Sequence, residues 1–215
     1  VYSTGMSNGG FMSYQLACEL SDRIAAIASV TGSMNLGWLN SCNPNHPMPV
    51  MEIHGTLDPT VSYNASSFTE SIPDILDFWA NFNNCNSTPI ISNVPDIITT
   101  DGCTAEHQIW ENGDNGATVE HYKIIDGEHT WPNALAIAGV TNQDINASEK
   151  IWEFFNKYDI NGLINSTNTS NISTEKSPEL IKIIDVLGRE ATPKQKGILF
   201  YIYENGTVEQ KLSIK

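Results

Sequence analysis

The sequence is poor in basic residues: 11 Lys and Arg stand against 25 Asp and Glu in 215 residues, for a formal net charge of -14. Seven of the 11 lie in residues 175–215, so residues 1–174 hold only four basic side chains and 19 acidic ones. Nucleic acids, anionic membrane surfaces and polyanionic substrates all require cationic side chains that displace counterions. The shortage therefore argues against such partners for the main part of the chain.

The sequence also lacks the patterns of a membrane-spanning helix and of a zinc site. No apolar run approaches the roughly 18 residues that a membrane-spanning helix needs, so we predict no membrane span. The four cysteines show neither C-x-x-C spacing nor neighbouring His clusters, which argues against a zinc site. We therefore expect no metal site.

If the chain folds in an oxidising environment, an even number of cysteines favours disulfides. Of the three ways to pair four cysteines, we favour Cys18 with Cys42 and Cys85 with Cys103, because each pair flanks one structural excursion. Each bond would stabilise the fold by about 3 kcal/mol through loop closure. The alternative is that Cys18, on a buried helix, is a small apolar residue without a bond.

The composition changes sharply near residue 160. Residues 161–174 are rich in Asn, Ser and Thr and carry no charge, whereas residues 175–215 carry a net charge of +1. Such a polar stretch between segments of different charge is typical of a linker between modules. We predict a main domain at 1–160, a linker at 161–174 and a small module at 175–215.

The first candidate site lies near the start of the chain. Residues 5–9 read Gly-Met-Ser-Asn-Gly, which is G-x-S-x-G between the tail of a strand (1–4) and an apolar run that predicts a buried helix. This setting is required for a nucleophile elbow, in which glycines relieve collisions around a strained serine. Ser7 is then the nucleophile, and the backbone N–H of Asn8 is a donor to an oxyanion. The alternative is a glycine turn that only begins a helix.

Strand and helix patterns alternate through the main domain. This order predicts an α/β fold with a parallel sheet flanked by helices. The predicted strands are 1–4, 25–30, 49–53 and 119–125, and the later helices are 72–82 and 147–158.

Two more candidates each follow a predicted strand. Asp58 comes after strand 49–53, and His129 comes after strand 119–125. The chain order Ser, Asp, His is typical of α/β-hydrolases, in which the acid orients the histidine that activates the serine. The alternative for Asp58 is an Asx turn before proline. We interpret the other histidines as structural; they are His46, His54, His107 and His121.

Three segments together carry a family resemblance: Gly5-Met-Ser-Asn-Gly-Gly-Phe-Met-Ser-Tyr-Gln-Leu-Ala-Cys-Glu, His54-Gly-Thr-Leu-Asp and Gly127-Glu-His-Thr-Trp-Pro. They resemble the secreted esterases grouped as relatives of polyhydroxybutyrate depolymerase and feruloyl esterase, over residues 1–158. The resemblance implies Ser7 as nucleophile, Asp58 as acid, His129 as base and Trp131 in the pocket wall. It also implies a carboxylic ester substrate and no cofactor. We assign Met6, beside the serine, to the same pocket.

A complete α/β-hydrolase has several strands before its elbow, whereas only four residues precede Gly5. We therefore expect this chain to be the C-terminal half of such a domain, without the loop that supplies the second oxyanion donor. Loss of one such donor costs about 2.7–4 kcal/mol of transition-state stabilisation. We expect the chain alone to be inactive and to aggregate through an unpaired strand edge.

The segment 175–215 contains three alternating runs, 180–186, 197–203 and 207–214, with Asn205-Gly206 as a hairpin turn between the last two. It resembles the C-terminal sorting tails of the type IX secretion pathway of Bacteroidetes. The resemblance implies a partner in the secretion machinery, an extracellular location and removal of the tail, with attachment to the cell surface before that removal. The alternative is a small carbohydrate-binding or stabilising module.

We hypothesise a secreted serine esterase that hydrolyses neutral esters through an acyl-enzyme. Its substrate would be a plant polysaccharide ester, as for feruloyl or acetylxylan esterases, or a polyester. A serine peptidase of the prolyl oligopeptidase type shares the elbow and the chain order, but the four cysteines and the segment 127–132 argue against it. A non-catalytic surface-binding protein on a hydrolase scaffold is the third hypothesis.

Overall fold

The computed structural model describes residues 1–134, 139–164, 180–185, 188–192, 195, 197–204 and 208–213. The chain divides into two units, Val1–Ile164 and Asn165–Lys215. Each unit is described by itself below.

A sheet of six strands forms the centre of the first unit. Its strands are β1 (Tyr2–Met6), β2 (Ala26–Val30), β3 (Val50–Gly55), β4 (Ile90–Asn93), β5 (Thr104–Trp110) and β6 (Val119–Ile125), in the spatial order β1-β2-β3-β6-β5-β4. The strands β1, β2, β3 and β6 pair in parallel. The α/β fold is confirmed. The predicted parallel sheet is confirmed only for these four strands, because β5 and β4 extend the sheet in antiparallel pairing.

The two antiparallel strands escaped sequence analysis for a physical reason. All four residues of β4 are exposed, and β5 buries only Ala105 and Trp110. Strands at the solvated end of a sheet lack the continuous apolar runs of the parallel strands, which are covered on both faces. Only β5 is mostly polar, whereas β4 has four residues of which two are Ile; neither strand shows the long apolar run that would indicate a buried strand.

Helices cover both faces of the sheet. Side chains of α1 (Asn8–Glu19) and α2 (Ile72–Phe82) pack in one apolar cluster, and those of α3 (Ala147–Phe155) pack in another. Alternate residues of β2 reach the two clusters, Ile27 the first and Ala26 and Ala28 the second. Among the helices that the structure describes, none is long and apolar enough to cross a membrane.

The helix boundaries follow from caps and apolar faces. Helix α2 has the predicted limits, with the Ser71 side chain accepting a hydrogen bond from the Asp74 backbone N–H. Helix α3 ends at Phe155, three residues before the predicted end. Trp152 is 61% exposed, because Ile151 and Phe155 define a buried stripe that Trp152 does not share. Met12 of α1 is exposed as well, so α1 has a solvated side.

The cysteines follow the predicted pairing only in part. Cys18 and Cys42 form a disulfide, as predicted, but Cys85 and Cys103 are free thiols. Cys103 precedes the first residue of β5, whereas the Cys85 thiol contacts the Ala117 carbonyl beside the last residue of β5. A strand of seven residues is about 20 Å long. Because a disulfide requires Cα atoms within about 7 Å, the second predicted bond cannot form.

The described part of the second unit is a three-stranded antiparallel sheet. Its strands are β9 (Leu180–Asp185), β10 (Gly197–Tyr203) and β11 (Val208–Ser213), with β10 in the middle. A two-stranded ribbon, β7 (Tyr158–Asp159) and β8 (Gly162–Leu163), closes the first unit. Residues 165–179, which contain most of the predicted linker, and the predicted turn at Asn205-Gly206 lie outside the described residues.

The cysteine arrangement predicts a definite peptide map. Digestion of the oxidised protein after alkylation should yield a linked Cys18–Cys42 peptide and alkylated Cys85 and Cys103, detected by mass spectrometry. The reduced protein serves as control and should show four alkylated cysteines. A peptide that links Cys85 to Cys103 would contradict the described positions of these thiols.

Candidate active site

Ser7 occupies the turn between β1 and α1 in a strained backbone conformation. Its φ and ψ are 55° and -119°, outside the regions that residues with side chains readily adopt. The turn is held because the Ser7 N–H donates to the Val30 carbonyl (2.9 Å) and the Ser7 carbonyl accepts from the Gly10 N–H (2.8 Å). Strain of this kind persists only where surrounding contacts fix it, and it is concentrated at functional sites.

Close backbone packing around the turn depends on particular glycines. A Cβ at Gly5 would lie 2.7 Å from the Gly9 Cα, and one at Gly10 would lie 2.9 Å from the Gly32 Cα. The expectation that both glycines of the motif relieve collisions is wrong for Gly9, because a Cβ there would meet nothing within 4 Å. Gly10 and Gly32 thus let α1 approach the end of β2, a need that the pattern G-x-S-x-G does not reveal.

Asn8 is the first residue of α1 and is exposed. The first N–H groups of a helix have no carbonyl partner within the helix, and the helix dipole adds partial positive charge there. No acidic side chain lies in the first turn of α1 to offset this charge. The Asn8 N–H beside Ser7 is therefore suited to receive an oxyanion.

Asp58 divides its two carboxylate oxygens between two tasks. Oδ1 accepts hydrogen bonds from the backbone N–H groups of Thr60 and Val61, both at 2.8 Å. Oδ2 accepts the Nδ1–H of His129 at 2.7 Å. The Asx turn is present, but it holds only one oxygen and leaves the other in contact with the histidine, so the role of Asp58 as the acid stays a prediction. The Asp58 side chain is fully buried.

His129 is held with its second nitrogen available. Because Asp58 Oδ2 can only accept, the proton of a neutral His129 lies on Nδ1 and Nε2 keeps its lone pair. The loop that carries His129 is fixed by Glu128, whose backbone N–H donates to the Val140 carbonyl at 3.0 Å and whose Oε2 accepts the Val140 N–H at 3.1 Å. The His129 side chain is 19% exposed, so a proton can reach it.

The three predicted residues lie at one edge of the sheet, because each follows the carboxyl end of a parallel strand. Ser7 follows β1, Asp58 follows β3 and His129 follows β6. In the sheet, β3 and β6 are neighbours, whereas β1 lies two positions from β3, which is about 10 Å. The structure joins Asp58 to His129 directly and places Ser7 at the same edge without a hydrogen bond to either side chain.

The remaining histidines are bonded within the fold. Burial lowers the pKa of His121 to about 3, and its Nδ1–H donates to the Glu52 carbonyl. His46 contacts three backbone carbonyls. His107 lies in β5, where its Nε2 contacts Glu120 at 3.1 Å. Among the described residues, no group of three or more His, Cys, Asp or Glu side chains is arranged to hold a metal ion.

Trp131 lines an apolar groove of about 360 Å³ on the α3 side of the sheet, and its indole N–H donates to Ser148. Tyr2, Ile151 and Phe155 are among the other lining residues. Met6 is the half-buried last residue of β1 and is not part of this lining. The assignment of Met6 and Trp131 to a substrate pocket therefore stays a prediction.

Sequence analysis missed a buried carboxylate beside the site. Glu52 lies in the middle of β3, is fully buried, and accepts a hydrogen bond from the Tyr14 hydroxyl at 2.8 Å. The signal was present, since a carboxylate inside an apolar strand must be paired or hydrogen-bonded. The partner could not be inferred, because Tyr14 comes from a helix distant in sequence.

Known proteins resemble this chain at modest identity, and no protein-family model matches it. A bifunctional acetylxylan esterase/xylanase, XynS20E of Neocallimastix patriciarum, is 23% identical over 81% of this chain and 22% of its own length. Feruloyl esterase B of Piromyces equi is 29% identical over 60% of this chain and 24% of its own length. Feruloyl esterase C of Emericella nidulans is 25% identical over 63% of this chain and 49% of its own length.

The chain spans half or less of the length of the curated relatives it matches. These relatives support an esterase family at modest identity. They agree with the α/β architecture of the first unit and with a hydrolase.

Substitution of two neighbouring glycines tests the packing of the elbow. Gly10→Ala should lower the free energy of unfolding of the intact protein by about 1–3 kcal/mol, because its Cβ would overlap the Gly32 backbone and the Ser29 hydroxyl. Gly9→Ala is the matched control, and should leave stability unchanged or raise it by up to about 1 kcal/mol through helix propensity. Urea unfolding measures both. Equal effects of the two variants would show that the helix does not pack against β2 as described.

Proposed function

We propose that this chain carries the nucleophile, base and acid of a serine carboxylic ester hydrolase. The observation that supports this most directly is the 2.7 Å hydrogen bond from His129 to Asp58, at the sheet edge where Ser7 stands in a strained turn. Relatives named feruloyl and acetylxylan esterases agree with ester hydrolysis.

In the proposed reaction, Ser7 Oγ attacks the ester carbonyl carbon while His129 Nε2 takes the serine proton. The oxygen of the tetrahedral intermediate is stabilised by the Asn8 N–H. The His129 imidazolium, which Asp58 stabilises, then gives its proton to the departing alkoxide, and the alcohol leaves an acyl-serine. Water attacks the acyl group, His129 takes the water proton and returns it to Ser7, and the carboxylic acid departs.

We propose a neutral ester as substrate. Residues 1–174 hold four basic side chains, so few cations are present to recognise a charged acid such as a pectin carboxylate. Names of the relatives favour feruloyl or acetyl groups on plant polysaccharide over a polyester of the polyhydroxybutyrate type. The apolar groove beside Trp131 lies near the loop of His129 and suits an uncharged group.

The division of the chain into a catalytic domain at 1–160, a linker at 161–174 and a tail at 175–215 is part of the same proposal. Residues 180–185, 197–203 and 208–213 form a sheet of their own, which suits a separable module. We propose that this module directs export by the type IX machinery and that the enzyme acts outside the cell.

Serine chemistry predicts a sharp loss on one substitution. In the intact protein, Ser7→Ala should reduce hydrolysis of para-nitrophenyl esters on the order of 10⁴-fold or more, because the acyl-enzyme cannot form. Ser41→Ala, at an exposed serine, is the matched control and should keep the wild-type rate. Cleavage of a peptide para-nitroanilide in preference to the ester would instead support the peptidase, and turnover by Ser7→Ala would exclude this nucleophile.

A further inference from the structure

A chain of buried polar contacts connects the elbow helix to the proposed acid. The Tyr14 hydroxyl of α1 donates to Glu52 Oε2 (2.8 Å), and Glu52 Oε1 lies 2.9 Å from His54 Nδ1. His54 Nε2 lies 2.9 Å from the Val61 carbonyl oxygen and 3.4 Å from Asp58 Oδ2. The side chains of Glu52, His54 and Asp58 are all fully buried. Such a chain is too costly to bury unless each member is satisfied.

The contacts determine where the protons lie. The Val61 carbonyl can only accept, so His54 Nε2 carries a proton. Between His54 Nδ1 and Glu52 Oε1 one more proton is needed, and the pair is neutral overall wherever that proton resides. Burial raises the pKa of Glu52. Burial alone would lower the pKa of His54, but its contacts with Glu52 outweigh this effect and the pKa is raised. Both directions agree with a pair that retains the shared proton.

His54 reaches Asp58 by two routes. Its Nε2–H donates to the carbonyl of Val61, the same residue whose N–H donates to Asp58 Oδ1. The imidazole thus holds Val61, which belongs to the turn that binds one carboxylate oxygen. The same N–H presents partial positive charge 3.4 Å from Oδ2, the oxygen that accepts from His129. This distance is too long for a strong hydrogen bond, and the contact is electrostatic.

We propose that Glu52 and His54 are positioning residues that keep the Asp58 carboxylate turned toward His129. The inference rests on the proposed esterase function for its kinetic consequence, but the contact itself can be observed without any substrate. Glu52 holds the His54 ring, His54 holds the turn of Val61, and the turn holds Asp58. Neither residue touches the reacting atoms.

Two pairs of variants separate this role from simple core filling. His54→Asn loses the N–H toward Val61 and Asp58, whereas His54→Gln places an amide N–H close to the position of Nε2. Glu52→Met keeps the volume of the side chain without a hydrogen-bonding group, whereas Glu52→Gln keeps hydrogen bonds to Tyr14 and His54. His121→Asn is the control for loss of a buried imidazole, since His121 lies on the neighbouring strand and contacts the Glu52 carbonyl but not Asp58.

The direct readout is the downfield proton NMR signal of the His129 Nδ1–H in the intact protein. We expect His54→Asn and Glu52→Met to shift or abolish this signal, while His54→Gln, Glu52→Gln and His121→Asn retain it. The kinetic readout is kcat, calculated from the concentration of active sites found by titration. His54→Asn and Glu52→Met should lose about 10²-fold in kcat, which is the scale of a misplaced catalytic group, while KM stays within about twofold of wild type.

The outcomes are distinct. An unchanged signal in folded His54→Asn, or an equal loss in His121→Asn, would overturn the proposal. If His54→Asn does not fold, Glu52→Met against Glu52→Gln makes the same comparison with side-chain volume preserved. If the intact protein hydrolyses no ester, the proposed function fails, while the NMR signal still decides whether Glu52 and His54 position Asp58.

Discussion

Parallel pairing of β1, β2, β3 and β6 brings residues from distant parts of the chain to one edge of the sheet. In a parallel sheet every carboxyl end lies on the same side, so the turns that follow these strands become neighbours. Ser7, Asp58 and His129 each occupy such a turn. The remaining features of the site, from the glycine contacts to the Asx turn, fix the direction of side chains that this pairing places at the same edge.

Burial of the Asp58 carboxylate restricts its orientation. A buried charge is costly unless hydrogen bonds compensate for its lost hydration, and Asp58 receives them from Thr60, Val61 and His129. Only the last of these bonds belongs to the proposed chemistry; the other two, with His54 behind them, restrict the rotation of the carboxylate. The cost of burial thus creates a rigid acceptor that imposes one tautomer on His129.

Much of the first unit could be predicted from the sequence, because its central strands and α2 have strong apolar patterns. Ser7, Asp58 and His129 could also be proposed as candidates from the sequence, since each follows a strand that can be recognised there. The strands β4 and β5 were missed because they are largely exposed in the described structure and lack a long apolar run. The Glu52–His54 contact and the distance between Cys85 and Cys103 depend on which elements become neighbours in space, and local pattern carries no such information.

The account depends on Ser7 being a nucleophile activated by the Asp58–His129 pair, and covalent labelling of the intact protein tests this directly. A fluorophosphonate probe followed by peptide mass spectrometry should modify Ser7 alone, and Asp58→Asn should slow the modification because the histidine loses its orientation. Absence of labelling, or an adduct on another residue, would contradict a catalytic role for this site and would favour a binding protein on a hydrolase scaffold.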